Sequence, residues 1–158
     1  MALGLGLAVE IALGRWAPSA RAYVDVMMVP IAWYGIARSQ RTAMFAGCAA
    51  GLLQDAWFET GVFGLNGFVK TLLGWALGGL GGTFDLNQGA GRFVSGAVLA
   101  VAGRLLEAGL LKLMDRAAGP LDPVEILVRA AVGGLLVALV FAILNRVRGK
   151  EATRRKAG

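Results

Sequence analysis

Five of the ionisable residues inside or beside the strongly apolar stretches of this 158-residue chain are candidates for a structural or functional charge. In lipid, an ionised side chain at a helix centre costs roughly 2.5–3.5 kcal/mol on insertion scales, so such a residue needs a partner or a purpose. Structural ion pairing is the favoured interpretation, and coupling to a proton or a substrate is the alternative. The five are Asp55, Lys70, Arg104, Glu107 and Arg129.

The spacing of these residues predicts which of them meet. At 1.5 Å per residue, Asp55 lies about 5 Å below the end of one helix and Lys70 about 8 Å into the next, so the two can pair. Backbone amides are the alternative partners of Asp55. Arg104 and Glu107 are three residues apart on one predicted helix, and Arg129 is expected to reach Glu107 from the neighbouring helix.

Other chemistry is limited by the residue types that are missing. The sequence contains no histidine, and its single cysteine, Cys48, lies in an apolar stretch. This excludes a Ser-His or Cys-His nucleophile system and the usual His-rich metal sites. We therefore expect a protein that is not an enzyme and that holds no metal or cofactor.

The elements that must position the charges are predicted to be membrane helices. Hydrophobic residues make up 57% of the chain, charged residues only 16%, and the mean hydropathy is +0.65. A membrane span needs about 20 mostly apolar residues. The pattern predicts an all-α polytopic membrane protein, a compact bundle of six transmembrane helices forming one domain, 1–145. The predicted spans are 2–17, 22–37, 42–58, 65–82, 93–114 and 124–145.

The first of these segments also has the alternative interpretation of a cleaved signal peptide, because small residues follow its apolar run. A signal sequence has a positive region before that run, whereas the start of this chain has no Lys or Arg and Glu10 lies within the run. We therefore favour a retained span.

The basic residues predict the orientation in the membrane. Residues 146–158 form a basic tail, which the positive-inside rule places in the cytoplasm, so six spans also place the N-terminus there. The sequence pI of about 10.3 raises the possibility of nucleic acid. The excess charge lies at a membrane edge, however, so anionic lipid headgroups are the expected partner and nucleic acid is not.

Glycines, 24 in all, recur at helical spacing along the third and fourth spans. Small residues let backbones approach closely where lipid supplies no hydrophobic drive for helix association. Packing inside the bundle is favoured, and docking of a partner's transmembrane helix is the alternative. Two of the candidates, Gly61 and Gly64, belong to the turn between these spans. The candidates for helix packing or a partner interface are Gly47, Gly51, Gly61, Gly64, Gly67, Gly74 and Gly78.

Three short motifs in this region resemble the rod shape-determining MreD family. They are Gly51-Leu52-Leu53-Gln54-Asp55, then Gly61 with Gly64-Leu65, then Leu72-Leu73-Gly74-Trp75. The family pattern has a G-x-x-x-D helix end, a glycine-containing turn and a following helix with a small–aromatic pair. Asp25 in the second span and Glu107 in the fifth are also family-like, and chain length agrees.

The resemblance implies a non-enzymatic scaffold of the bacterial cell-elongation (rod) complex in the cytoplasmic membrane. The expected partners are MreC and, directly or through it, the RodA glycosyltransferase and its class B penicillin-binding transpeptidase, which build lateral peptidoglycan and set cell shape. The implied fold resembles the six-helix S-component of energy-coupling-factor (ECF) transporters. That kinship supplies the rival function, a substrate-binding subunit of a vitamin or small-solute transporter, with Asp55, Lys70, Glu107 or Arg129 contacting the ligand.

Overall fold

A computed structural model describes residues 2–16, 25–37, 39–58, 62–81 and 89–156. Within these ranges the chain is all-helical, with six helices and no strand, so the predicted all-α class is confirmed. The helices are α1 (Ala2–Trp16), α2 (Met28–Ala37), α3 (Gln40–Phe58), α4 (Leu65–Gly81), α5 (Gly89–Leu113) and α6 (Pro123–Lys156).

The helices follow the predicted spans closely except at the second, which was placed at 22–37. Residues 26 and 27 form a turn, and α2 begins only at Met28. The reason is Asp25, whose Oδ1 accepts from the Met27 amide at 3.1 Å and whose carbonyl accepts from the Met28 amide at 3.2 Å. An Asp that satisfies the free amides of a first turn starts a helix after itself. Residues 22–24 lie outside the described ranges.

The last helix also differs from the sequence expectation. The predicted boundary between bundle and basic tail lies at 145, yet α6 continues without a break to Lys156. The basic segment thus begins as a continuation of a membrane-type helix.

Two described helical segments, Gly89–Leu113 and Pro123–Ile143, are long and apolar enough to cross a membrane. Three other helices are short of about 20 residues: α1 has 15, α2 has 10 and α4 has 17. Helix α3 has 19 residues but includes Gln40, Arg41, Gln54 and Asp55, which lower its hydropathy.

The bundle consists of two helical hairpins around a central short helix. Helix α3 packs on α4, α5 packs on α6, and α2 contacts all four of these helices. Because α2 is apolar on every side, it is buried. Its Met28, Ile31 and Ala32 form one core cluster with side chains from the hairpins, among them Val69, Leu73, Leu77, Leu99, Val137 and Phe141.

The predicted glycine rows of α3 and α4 face each other. A Cβ on Gly47 would meet the Lys70 carbonyl, and one on Gly51 would meet the Asn66 carbonyl and the Gly67 Cα. From the other side, a Cβ on Gly74 would meet the Ala43 carbonyl, and one on Gly78 would meet Gln40 Cα. These rows are therefore used in packing within the bundle, as favoured. Docking of a partner helix on them is wrong because the opposite helix already occupies the space.

The remaining candidate glycines have different roles. A Cβ on Gly67 would lie 3.0 Å from the Leu52 side chain, an ordinary neighbour that can adjust. Gly64 has no atom within 4 Å of such a Cβ, but its φ is +91°. That backbone conformation favours glycine, so Gly64 shapes the turn before α4. Gly61 lies outside the described residues.

Hairpin α5–α6 has a glycine contact that the sequence analysis did not single out. A Cβ on Gly96 would lie 2.5 Å from the Gly133 carbonyl, and one on Gly133 would lie 2.7 Å from the Ala100 side chain. These glycines lie in the first half of α5 and the middle of α6, leaving the other end of the hairpin for charged side chains.

Candidate functional site

A cavity of about 180 Å³ lies at one end of the bundle, where α1, α3 and α5 end and α2, α4 and α6 begin. All six helices contribute to its lining. Four of the five predicted charge candidates line it, and the fifth, Asp55, lies outside the lining. The polar lining residues are Glu10, Asp25, Gln54, Asn66, Lys70, Arg104, Glu107 and Arg129.

One wall of the cavity is a closed polar network centred on Lys70. Its Nζ donates to Asp25 Oδ2 at 2.6 Å and to Gln54 Oε1, and the Lys70 side chain is only 2% exposed. The Gln54 amide in turn donates to Asp25 Oδ1 at 3.1 Å and to Glu10 Oε1. Because a buried charge is tolerated only with good partners, this network lets Lys70 remain inside the bundle.

The predicted pair between Lys70 and Asp55 is therefore wrong. The partner of Lys70 is Asp25, which is 45 residues away in sequence and precedes α2. Gln54 and Asp55 are adjacent on α3, so their side chains diverge by about 100°. Gln54 is directed into the network, whereas Asp55 is directed at the start of α4.

Asp55 caps helix α4. Its Oδ2 accepts from the backbone amides of Gly64 and Gly67 at 2.9 and 3.2 Å, and its Oδ1 accepts from Asn66 Nδ2 at 2.8 Å. The first amides of a helix lack intrahelical acceptors and carry positive partial charge, so a carboxylate is favourable there. Asp55 is 3% exposed, and the backbone-amide alternative is the one formed.

In the opposite wall, Arg104 and Arg129 are held in place by Glu125. Its Oε1 lies 3.0 Å from Arg129 Nε, one turn along α6, and 3.4 Å from Arg104 Nε on α5. The predicted contact between Arg129 and Glu107 is wrong, because Arg129 forms its ion pair with Glu125 instead. The (i, i+4) spacing of Glu125 and Arg129 was the signal that could have identified this pair. Within the described residues Glu107 makes no ion pair, with Arg104 or otherwise, although it lines the cavity.

The charged side chains of the cavity can bind a charged ligand, and no nucleophile is apparent among the described residues. The hydroxyls of Thr71 and Ser95 donate to carbonyls of their own helices, at 2.6 and 2.9 Å. In the described part of the chain, no three His, Cys, Asp or Glu residues are grouped to hold a metal. The cavity therefore combines fixed ion pairs with space for a small polar molecule or water.

The outer faces of the helices are apolar, in contrast to this interior. Large hydrophobic side chains on α3–α6 are well exposed while Lys70 and Asp55 are buried. The most exposed include Phe45, Trp57, Phe68, Trp75, Val94, Val98, Leu127, Leu135 and Leu139. Exposed apolar surface that is continuous over a molecule indicates contact with lipid or protein.

Comparison with protein-family models, curated proteins and solved structures finds no match to this chain. The resemblance to the MreD family thus rests on the motifs quoted above.

Proposed function

We propose that the chain is a multi-pass membrane scaffold of the MreD type in the bacterial rod complex. In this proposal it has no enzymatic activity and binds MreC. Through MreC, or directly, it supports RodA and its class B transpeptidase in lateral cell-wall synthesis. The observation that carries the membrane part is the inverted polarity of the bundle, with the charged side chain of Lys70 buried inside and paired with Asp25 and large apolar side chains outside.

The shortest helix, α2, is compatible with a six-span arrangement. Helix α2 has only 10 residues, but it contacts α3–α6, and its residues 28–36 are all buried or half-buried. Backbone that is buried in protein can depart from a full-length membrane helix. The basic segment after α6 suits anionic headgroups at the cytoplasmic surface.

The scaffold part is supported by how the polar groups are used. Asp55 holds the start of α4 and Lys70 ties α4 to Asp25 before α2. These contacts stabilise one arrangement of helices and provide no reacting group. A rigid bundle with apolar outer faces suits assembly with other membrane proteins.

Reporter fusions test the orientation. A fusion after Gly158 is expected to report the cytoplasm, and an insertion in the turn at 59–64 is expected to report the opposite side. The same side for both reporters would overturn the six-span topology.

Co-purification tests the partner. The full chain, tagged and expressed with the MreC of the same organism, is expected to retain MreC through affinity purification from mild detergent. An unrelated single-span protein of similar abundance is the control and should be lost. Absence of MreC, or equal recovery of the control, would overturn the assignment.

A second candidate, an S-component-like subunit for a small solute, is favoured by the charged cavity. The volume of this cavity, about 180 Å³, is smaller than the roughly 300–1,000 Å³ that is typical of pockets for drug-sized ligands. It therefore suits only a small solute. Native mass spectrometry of the purified chain tests this: a retained solute together with loss of MreC would favour the transporter subunit over the scaffold.

A further inference from the structure

The cavity wall formed by α5 and α6 carries two guanidinium groups with incomplete partners. Arg104 and Arg129 share one oxygen, Glu125 Oε1. Within the described residues, the only further hydrogen bond of either group is a long one, 3.4 Å, from Arg104 Nη2 to the Gly119 carbonyl. Arg129 Nε is buried and makes no hydrogen bond of acceptable geometry. Each guanidinium has five N–H donors, so most of the donors are unused.

These donors are positioned for a ligand in the cavity. Arg104 and Arg129 line the cavity, whereas Glu125 does not, so Glu125 holds both groups from behind. The Arg104 side chain is only 10% exposed, which limits how far water can satisfy it. Guanidinium groups bind phosphate through paired, charge-assisted hydrogen bonds. An oxyanion between the two arginines would complete their hydrogen bonding.

The charges around the cavity determine which kinds of oxyanion can bind there. The ionisable lining residues are balanced, with Glu10, Asp25 and Glu107 against Lys70, Arg104 and Arg129. Asp25 and Lys70 neutralise each other at 2.6 Å. Glu107 lies about one turn beyond Arg104 on the same face of α5 and has no ion pair within the described residues. A simple anion would be repelled by Glu107, whereas a ligand that also carries a cation would use it.

We propose that this cavity binds a zwitterionic phosphate ester, with its phosphate on Arg104 and Arg129 and a neighbouring ammonium on Glu107. The cavity, about 180 Å³, suits a headgroup-sized ligand. Two sources share this chemistry: the head of phosphatidylethanolamine and free phosphoethanolamine. The proposal does not depend on MreC binding, so either can fail without the other.

Binding measurements on the full chain in delipidated micelles test the site. The probes are O-phosphoethanolamine, dihexanoyl-phosphatidylethanolamine and dihexanoyl-phosphatidylglycerol, titrated by calorimetry. The phosphatidylethanolamine is expected to bind more tightly than the phosphatidylglycerol, which lacks the ammonium. Arg104→Gln and Arg129→Gln should each weaken both lipids roughly ten-fold or more, the loss expected for a charge-assisted hydrogen bond.

Glu107→Gln gives the sharper result, because its effect should differ between the lipids. It should weaken phosphatidylethanolamine binding and leave phosphatidylglycerol binding unchanged or stronger, since a repelling charge is removed. Arg129→Lys keeps the charge but loses the planar fork, so intermediate affinity is expected. Arg116→Gln is the matched control: Arg116 is exposed beyond α5 and does not line the cavity, so binding should not change.

The outcomes separate the sources and can overturn the site. Binding of O-phosphoethanolamine as tight as that of the lipid indicates a soluble ligand, and binding of the lipid alone indicates a membrane ligand. Unchanged binding in both arginine variants, or an equal loss in Arg116→Gln, overturns the phosphate site. An equal effect of Glu107→Gln on both lipids overturns the ammonium contact. Glu107→Gln and Arg129→Lys carry the test if the arginine-to-glutamine variants fail to accumulate.

Discussion

The two hairpins of this bundle use glycine and charge in different ways. In α3–α4 the glycines run along both helices and the backbones meet directly, as at Gly51 against Asn66. In α5–α6 the closest glycine contact, Gly96 with Gly133, leaves the far end to charged side chains. The buried charges of the first hairpin are paired within the bundle, Lys70 with Asp25 before α2 and Asp55 with the start of α4, whereas the second hairpin presents partly satisfied guanidiniums to a cavity.

This difference distinguishes charged side chains that stabilise the fold from charged side chains that are available to bind a ligand. Among the described residues, Lys70 is 2% exposed and has two acceptors, and Asp55 accepts from three donors. Arg104 and Arg129 share a single carboxylate oxygen. A charge with all its hydrogen bonds made stabilises the fold, while one with unused donors can bind something further. All these charges lie near the same end of the bundle, so position alone does not distinguish them.

The largest expected effect is the loss of the Lys70–Asp25 pair. Lys70→Met should lower the free energy of unfolding by roughly 3 kcal/mol, the low end for breaking a buried pair, because buried Gln54 and partly exposed Asp25 lose their cation. Chemical unfolding in micelles measures this. Combining Lys70→Met with Asp25→Asn should recover part of the loss, and no recovery in the double variant would contradict the pairing.

Removal of the α4 cap should be the next largest effect. Asp55→Ala leaves the Gly64 and Gly67 amides and the Asn66 amide without their acceptor, and because Gly64 and Asn66 are partly exposed, a loss of about 1–2 kcal/mol in total is expected, as for other helix caps. Unfolding and membrane accumulation should both decline. Asp55→Asn retains one acceptor oxygen and should be milder. Normal stability in both variants would show that the cap is dispensable.

A single methyl group tests the close approach of α3 and α4. Gly51→Ala would place a Cβ against the backbone of α4, and overpacking of this kind costs roughly 1–3 kcal/mol. Gly109→Ala is the matched control, because no atom lies within 4 Å of its added Cβ. Thermal unfolding of the two variants should differ, and equal melting temperatures would remove the contrast between the hairpins.

The smallest effect is expected in α5–α6. Arg129→Gln leaves Glu125 with its second partner, Arg104, so a cost of about 1 kcal/mol or less is expected. The measurement is the same unfolding experiment used for Lys70→Met. A cost as large as that of Lys70→Met would mean that both hairpins depend equally on their charges.

Much of the fold could be predicted because it depends on local patterns. The apolar runs placed all six helices, and the four-residue glycine spacing identified the faces of α3 and α4 that pack closely, because both signals come from residues one or two turns apart. The start of α2 was misplaced because a capping Asp overrides an apolar run. The contact of Gly96 with Gly133 was missed because its glycines form no long row in sequence.

The sequence predicted several charged residues of the candidate site but did not predict which of them pair. The sequence identified Lys70, Arg104, Glu107 and Arg129 because an ionisable residue in an apolar run needs a partner or a purpose. Only the tertiary structure decided that Lys70 pairs with Asp25 and that Arg129 pairs with Glu125. Partner choice depends on helix rotation and on which helices are neighbours, and those are set by packing between residues far apart in the chain.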